Sequence, residues 1–567
     1  MASAFCACIV AVAVAAPTGA AAQEIRLQAV SESGLELEQR SGGRDKAFIT
    51  ESTGSGAAFL DYDMDGVLDV VLVNGLAGAQ GPVSPAHPAL AAGRNGDGHR
   101  LYRGDGMRFE AAPPAAGVRE LVWGTAVTWG DVDNDGWPDL FIAAIGPDRL
   151  YRNNGDGTFA VWASGVEDGG WGAAATLADW DGDGVLDLYV ARYVDLAMSS
   201  ISSRGEGRCF YAGVSAFCGP EGLVGQQDRL YRGQADATFV DWAADRVDAD
   251  AGFGLAVLAF DCDDDGAPEI YVANDSTMNL LYRRDGAGNL DEQALISGAG
   301  YSADGREQAG MGVTSADFDG DGQLDLFVTN FQNDHNTLYR NLGGCVFQDE
   351  TDLRQLAANS FPYMGWSALF LDVDGDADQD LFVANGHIHP AVELQDREPY
   401  AQRNLVYRNE LRETGAAVFD EVGDSAFGEL ATAGSSRGAV RGDYDNDGDL
   451  DLLVTNIDAT PTLLRNDSVS AHPALRLTLV GRSANRSARG ATVFVHSGGV
   501  QQRFEVRDSD GYAGANDGRQ LVFLPSGAAD RIEIRWPGGG TMVLEDEPPG
   551  DVLVDQLRGV VARAALR

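Results

Sequence analysis

The chain has 567 residues, 86 of them acidic and only 41 basic, for a formal net charge of −45. A surface that negative repels nucleic acid and anionic lipid, so neither is expected as a partner. Hydrophobic residues make up 44% of the sequence, enough for large packed cores, which excludes a disordered acidic polymer as the class.

At the N-terminus, the first 23 residues carry no charged side chain. An apolar run from Cys8 to Ala16 leads into Gly19-Ala20-Ala21-Ala22, the pattern of a secretory leader over residues 1–22, although it lacks the usual basic start. The expected location is therefore secreted, periplasmic or cell-surface, and no later stretch has the length and apolarity of a membrane span. Next in order, Glu24 to Gly34 (EIRLQAVSESG) reads as a lone strand with no partner nearby in sequence.

From Asp61 a nonamer recurs: DYDMDGVLD, DVDNDGWPD, DWDGDGVLD, DCDDDGAPE, DFDGDGQLD, DVDGDADQD and DYDNDGDLD. Acids occupy positions 1, 3, 5 and 9 of every copy. They are Asp61, Asp63, Asp65 and Asp69; Asp131, Asp133, Asp135 and Asp139; Asp179, Asp181, Asp183 and Asp187; Asp261, Asp263, Asp265 and Glu269; Asp317, Asp319, Asp321 and Asp325; Asp372, Asp374, Asp376 and Asp380; and Asp443, Asp445, Asp447 and Asp451. Like charges at that spacing repel unless a cation joins them. Calcium takes six to eight oxygens, and alternate residues of a tight loop can supply them while glycine makes the turn. Up to seven structural Ca2+ ions are expected. These are not EF-hands, which end on an acid at position 12 and a helix, whereas here the last acid comes at position 9 and a strand follows. The sixth copy has Ala377 where the others have glycine, so it reads as the weakest site.

Each nonamer is preceded by a Gly-rich strand such as GFGLAVLAFD and followed by an apolar strand such as LYVAR. A third strand ends in a signature such as LYRN, and a fourth segment starts near Phe109, Phe159, Phe239, Phe347 and Phe419. Four short strands repeated seven times is the pattern of a β-propeller, whose units must stack to bury both faces. The seventh unit lacks an evident fourth strand after Asn466, and Glu24 to Gly34 is the candidate to complete it and shut the ring. These units resemble the FG-GAP/VCBS repeats of integrin-like propellers over residues 24–466, and the resemblance implies calcium in the loops between first and second strands.

With strands in that order, the acidic loops and the third-to-fourth turns share one face of the disc. The long insertions Ala79 to Arg100, Asp195 to Arg229 and Ile388 to Arg403 lie on the other. Long loops on a rigid scaffold are where recognition concentrates, so the binding surface is expected opposite the calcium. In the second of them Cys209 and Cys218 bracket a short loop and are expected to form a disulfide; Cys262 and Cys345, each in a repeat position that varies, are expected to be buried free thiols. An arginine recurs once per third strand: Arg103, Arg152, Arg232, Arg283, Arg340, Arg408 and Arg465. It suits either neutralisation of loop acids or a packing role. His387 and His389 sit two residues apart with no visible third ligand, and read as an ordinary loop rather than a transition-metal site. No nucleophile-elbow, zincin, phosphate-loop or dinucleotide motif is present, which turns the reading away from an enzyme, although propeller active sites assemble from distant loops.

From Ala471 the repeats give way to period-2 strands bounded by Gly and Pro, expected to form a small β-sandwich-like domain over 471–567. The segments NRSARGATVFV (Asn485 to Val495), Gly511-Tyr512 and RIEIRWPGG (Arg531 to Gly539) look like the ASPIC/UnbV domain that accompanies such propellers in the cartilage acidic protein family. The whole reads as an all-β, seven-bladed propeller with a C-terminal β domain. It is expected to act as a secreted binding or adhesion module for an extracellular protein or glycan. A biosynthetic enzyme or accessory factor, as the UnbV likeness implies, and a structural cell-surface component are the alternatives.

Overall fold

A computed structural model describes residues 24–566 except 77–97, 200, 243–250, 286–288, 396–398, 428–432 and 484. The leader at 1–22 and most of the first insertion, Ala79 to Arg100, lie outside the described residues.

The chain is all-β and propeller-like. The repeat region forms seven antiparallel four-stranded sheets, five of them built from consecutive strands and the third interrupted by a two-stranded hairpin. Their first strands are Ala57–Leu60, Trp123–Gly130, Gly172–Ala178, Gly254–Phe260, Val313–Ala316, Gly365–Leu371 and Ser436–Gly442. These seven strands are buried almost throughout and pack on one another in chain order, the seventh against the first. Second strands such as Asp187–Arg192 are fully buried, as parallel stacking of sheets demands, while fourth strands such as Phe109–Ala111 show two of three residues to solvent. The seventh sheet takes its fourth strand from the N-terminus: Leu27–Ala29 pairs antiparallel with Thr462–Asn466, Leu27 opposite Asn466.

Adjacent sheets are tied at repeated points. The last asparagine of the LYRN signature donates through Nδ2 to the carbonyl of position 2 in the preceding sheet's acidic loop: Asn153 to Tyr62, Asn341 to Cys262, Asn409 to Phe318 and Asn466 to Val373, at 2.8–2.9 Å. Position 2 side chains also point into the gap between sheets. Tyr62 packs on Phe159, Phe318 on Phe419 and Tyr444 of the seventh sheet on Phe109 of the first, with ring centroids 5.8–5.9 Å apart. Cys262 occupies that same position. It is disulfide-bonded to Cys345 of the next sheet, Cα atoms 5.1 Å apart, so the expected free thiols are corrected to a cross-sheet link. The second pair, Cys209–Cys218, is bonded as expected, its Cα atoms 5.3 Å apart. It closes a hairpin of Cys209–Tyr211 and Val214–Ala216.

The C-terminal segment forms two further four-stranded sheets around one apolar core that includes Leu477, Val493, Ile532 and Val554. One sheet places Ala474–Val480 parallel to Gly550–Asp555, and the other is antiparallel, with Thr492–Ser497 between Val500–Glu505 and Ala529–Arg535.

Candidate functional site

The nine-residue loops share one local design. In all seven copies one carboxylate oxygen of position 9 accepts the backbone N–H of position 2, at 2.9–3.3 Å. In six copies its other oxygen accepts the N–H of the last third-strand residue, for example Asn409 onto Asp380 at 2.8 Å. In five copies position 1 accepts from the N–H groups of positions 5 and 6, as Asp61 does from Asp65 and Gly66. The loop is thus folded around its first and last acids.

In the first three copies positions 1, 3 and 9 bring ligand oxygens within 4.8 Å of one another. In the fourth, positions 1, 3 and 5 do so. The fifth-position acids Asp65, Asp135 and Asp183 are exposed and drawn outward by Arg103, Arg152 and Arg232, at 2.7–3.3 Å. The third-strand arginine therefore neutralises loop acids in these copies and in the fifth, where Arg340 lies 2.5 Å from Asp319 and 2.6 Å from Asp321; in the fourth Arg283 pairs with Asp263. In the last two copies it turns away: Arg408 pairs with Glu410 and Arg465 with Asp467.

Those two copies compensate with more acid. Asp378 and Asp449 stand at position 7, where the others have Val, Trp, Ala or Gln, an anomaly that was visible in DVDGDADQD and DYDNDGDLD and that the repeat template hid. In the sixth loop Asp374 has two buried oxygens with no hydrogen-bond partner, and Asp376, Asp378 and the nearby Glu413 have one each. In the seventh, Asp443, Asp445 and Asp449 each leave one such oxygen. Buried, unpartnered carboxylate oxygens are costly unless a cation or proton meets them. Burial accordingly pushes Asp69, Asp139 and Asp187 up to about 8, Asp449 and Glu269 to about 9 and Asp374 to about 7. An all-oxygen, multiply charged donor set fits a hard divalent cation such as calcium, best in the sixth and seventh loops.

The sixth loop, expected to be the weakest, keeps its turn with Ala377 at φ 75°. The reason lies in the C-terminal module. Ala377 packs against Leu521 and Phe523, while in the first and fourth loops a Cβ on Gly66 or Gly266 would meet open space. The module rests on the acidic-loop face along several copies. Arg476 bonds Asp443 at 2.7 Å, Ser487 accepts from the Asp131 N–H, and Arg503 spans the Gly322 carbonyl at 2.7 Å and Asp264 at 2.8 Å.

From the same module Arg507 to Asp517 runs along the first strands of the sheets. Gly511 exchanges two backbone hydrogen bonds with Val313, Ala515 two with the strand at Ala57–Phe59, and Ala513 accepts from Val127. Ser509 donates to the Ala175 carbonyl, Asp508 meets Thr128 and Arg489, and Asn516 accepts from Arg441. Tyr512, 2% exposed, donates to the Thr53 carbonyl and sets its ring edgewise on Trp366, centroids 4.9 Å apart. Six of the seven first strands thus contact this one segment. Close approach explains the glycines: a Cβ on Gly56 would lie 1.7 Å from the Ala513 carbonyl oxygen, and one on Gly511 2.3 Å from Ser367 Oγ.

On the opposite face the cysteine hairpin and the second-to-third connections surround a cavity of about 700 Å³. His389 belongs to its wall, and His387 packs beside it. Their rings pack on Tyr211 and, for His389, on Phe217 at 4.4 Å, and His387 Nδ1 accepts the His389 N–H.

A series of acid-loop sheets followed by a second β domain defines a propeller-like, all-β class, and family models match both parts. Residues 131–190, 261–328 and 317–383 match the FG-GAP-like repeat, and 481–555 match the ASPIC and UnbV domain. Cartilage acidic protein 1 of Mus musculus is 26% identical over 281 residues, covering 48% of this chain and 40% of that protein; the Homo sapiens protein is 26% identical over the same length. The chain thus carries FG-GAP-like repeats and an ASPIC and UnbV domain, and about half of it is similar to cartilage acidic protein 1. Its match spans about 40% of those relatives' own length. Among solved structures, a BBS1N complex with ARL6DN soaked with lead is 12% identical, covers 78% of this chain and 97% of that one, and has a TM-score of 0.42. An Agrocybe aegerita lectin described as recognising non-reducing terminal N-acetylglucosamine is 14% identical over 65% of this chain and 87% of that one, with a TM-score of 0.37.

Proposed function

We propose that the chain is an extracellular, calcium-stabilised, seven-bladed closed propeller. It acts as a binding or adhesion module for a protein or glycan, on the face opposite the acidic loops. Closure is supported by the N-terminal strand in the seventh sheet, by Thr455 Oγ1 donating to the Ser55 carbonyl at 2.9 Å, and by the Tyr444–Phe109 contact between the seventh and first sheets. Calcium is supported by the unpartnered oxygens of Asp374, Asp376, Asp378 and Asp449. When bound, it would neutralise the converging carboxylates and fix the loops on which the C-terminal module rests. Two disulfides favour an oxidising compartment. The proposed secretory leader at 1–22 is consistent with it.

The observation that carries the choice of face is the occupancy of the other one. The C-terminal module rests on several of the acidic loops and its Gly511-Tyr512 segment lies along the first strands, so the insertions and their cavity are the less obstructed surface. A pull-down from the source organism's surface and medium tests this. Capture is expected with calcium and is lost when Asp195 to Arg229 is shortened. Capture that survives the shortened loop in a folded protein contradicts the assignment of the face.

A further inference from the structure

The cavity on that face has a chemical bias that identifies what it would take. Four carboxylates line it, Glu221, Asp275, Glu307 and Asp334, and neither Lys nor Arg is among the described lining residues. Guanidinium groups near it have carboxylate or carbonyl partners: Arg204, which faces His389, has Asp45 at 3.9 Å. Arg306 pairs with Asp304 at 2.6 Å, and Arg437 lies behind Trp366 with its N–H groups on the Ser52, Gly386 and Ser436 carbonyls. The walls are aromatic: Tyr211 packs on Phe331 and His389, Phe217 on His389, and Phe210 of the hairpin is 66% exposed.

Two lining side chains carry a buried polar atom without a hydrogen-bond partner. His389 is 6% exposed and its Nδ1 has no hydrogen-bond partner; Thr53 is 3% exposed and its Oγ1 has none. Both line the cavity. Burial keeps His389 neutral, lowering it to about 4, so the imidazole offers an acceptor rather than a competing charge. Asp275 is already oriented, accepting from the Tyr193 hydroxyl at 2.5 Å and from Ser276 Oγ at 2.8 Å. The floor is firm, because Thr53 and Trp366 are held from below by Tyr512.

Carboxylates set among aromatic faces, with neutral acceptors and no basic residue, select an organic cation. Such a group gains from both the Coulomb field and the ring quadrupoles. The volume suits a small ligand or one inserted side chain. We propose that this cavity binds a protonated amine or guanidinium group on a short apolar stem, either as a free small molecule or as a basic side chain of a partner protein. The proposal rests on the assignment of the binding face above and adds the ligand chemistry.

Titration calorimetry on the calcium-loaded full chain, with agmatine and with a Gly-Arg-Gly peptide as probes, separates the two sources. Saturable binding of at least one probe is expected, weakened by added salt. Glutarate and N-acetylglucosamine are expected to give none. Glu307→Gln and Asp334→Asn should each weaken it at least threefold, and Asp275→Asn about tenfold. Glu307 is exposed, so its variant is not a folding test. Agmatine alone binding assigns a small-molecule site, and the peptide binding as well or better assigns a docked side chain. No heat from either cation at 10 mM, or binding that ignores all three substitutions, overturns the proposal. If the pull-down still depends on Asp195 to Arg229 in that case, the face stands and only its ligand chemistry falls.

Discussion

Tyr512→Ala is expected to lower the stability of the calcium-loaded chain by about 3 to 5 kcal/mol, the range for deleting a large buried aromatic side chain. The effect should spread beyond the C-terminal module. Tyr512 packs on Trp366 of the sixth sheet and bonds Thr53 beside the first, and the neighbouring residues of its segment bond the second, third, fifth and seventh sheets. Amide exchange of the first strands should therefore rise together, since a central element that several sheets share cannot loosen for one alone. Tyr512→Phe retains the ring contact and loses one hydrogen bond, about 1 kcal/mol. Equal, small effects of both substitutions on the melting temperature would show that the segment merely lies against the disc.

Chelation is expected to have a larger effect, and one that depends on pH. Extracellular calcium sites bind at roughly 10⁻⁴ to 10⁻³ M, so at about 10 mM calcium each filled loop adds about 1.4 to 2.7 kcal/mol to the folded state. In the metal-free chain the loop acids are raised by burial: Asp69, Asp139 and Asp187 to about 8 and Glu269 to about 9. A carboxyl group whose folded value lies above its unfolded value binds more protons when folded. Its folded state therefore loses stability as pH rises from about 4 toward about 8. Calcium must displace those protons and so binds better at the upper end. The drop in melting temperature on adding EGTA should accordingly be small near pH 5.5 and large at pH 8. A drop that is equal at both, or larger in acid, would contradict the assignment of these acids.

The repeat made much of this architecture legible, because period-2 strands and a recurring acidic turn are local signals. Seven nonamers gave the seven sheets, and the orphan strand near Leu27 found its partner at Thr462–Asn466 by simple strand count. What escaped notice was set between copies. Position 2 of the nonamer faces the neighbouring sheet, so the Cys262–Cys345 bond joins residues that no single repeat brings together. Ala377 read as a defect because the turn alone favours glycine there; its methyl group is accommodated by Leu521 and Phe523, 144 and 146 positions later in the numbering. The arginine of the third strand could not be resolved from sequence either, because whether it faces loop acids or a local Glu410 or Asp467 depends on side-chain geometry. Gly511-Tyr512 was recognised as a domain signature, yet nothing local reveals that it packs against the first strands of the repeat sheets.

The most direct test of the account is a calcium titration of the chelator-stripped chain at pH 7.5, followed by calorimetry, with Asp374→Asn/Asp376→Asn as comparison. The account predicts several ions bound per chain in the submillimolar to millimolar range, with the sixth-loop variant losing at least one of them and the melting temperature rising in step with occupancy. No binding up to 10 mM calcium, from a chain shown to be folded, would contradict it.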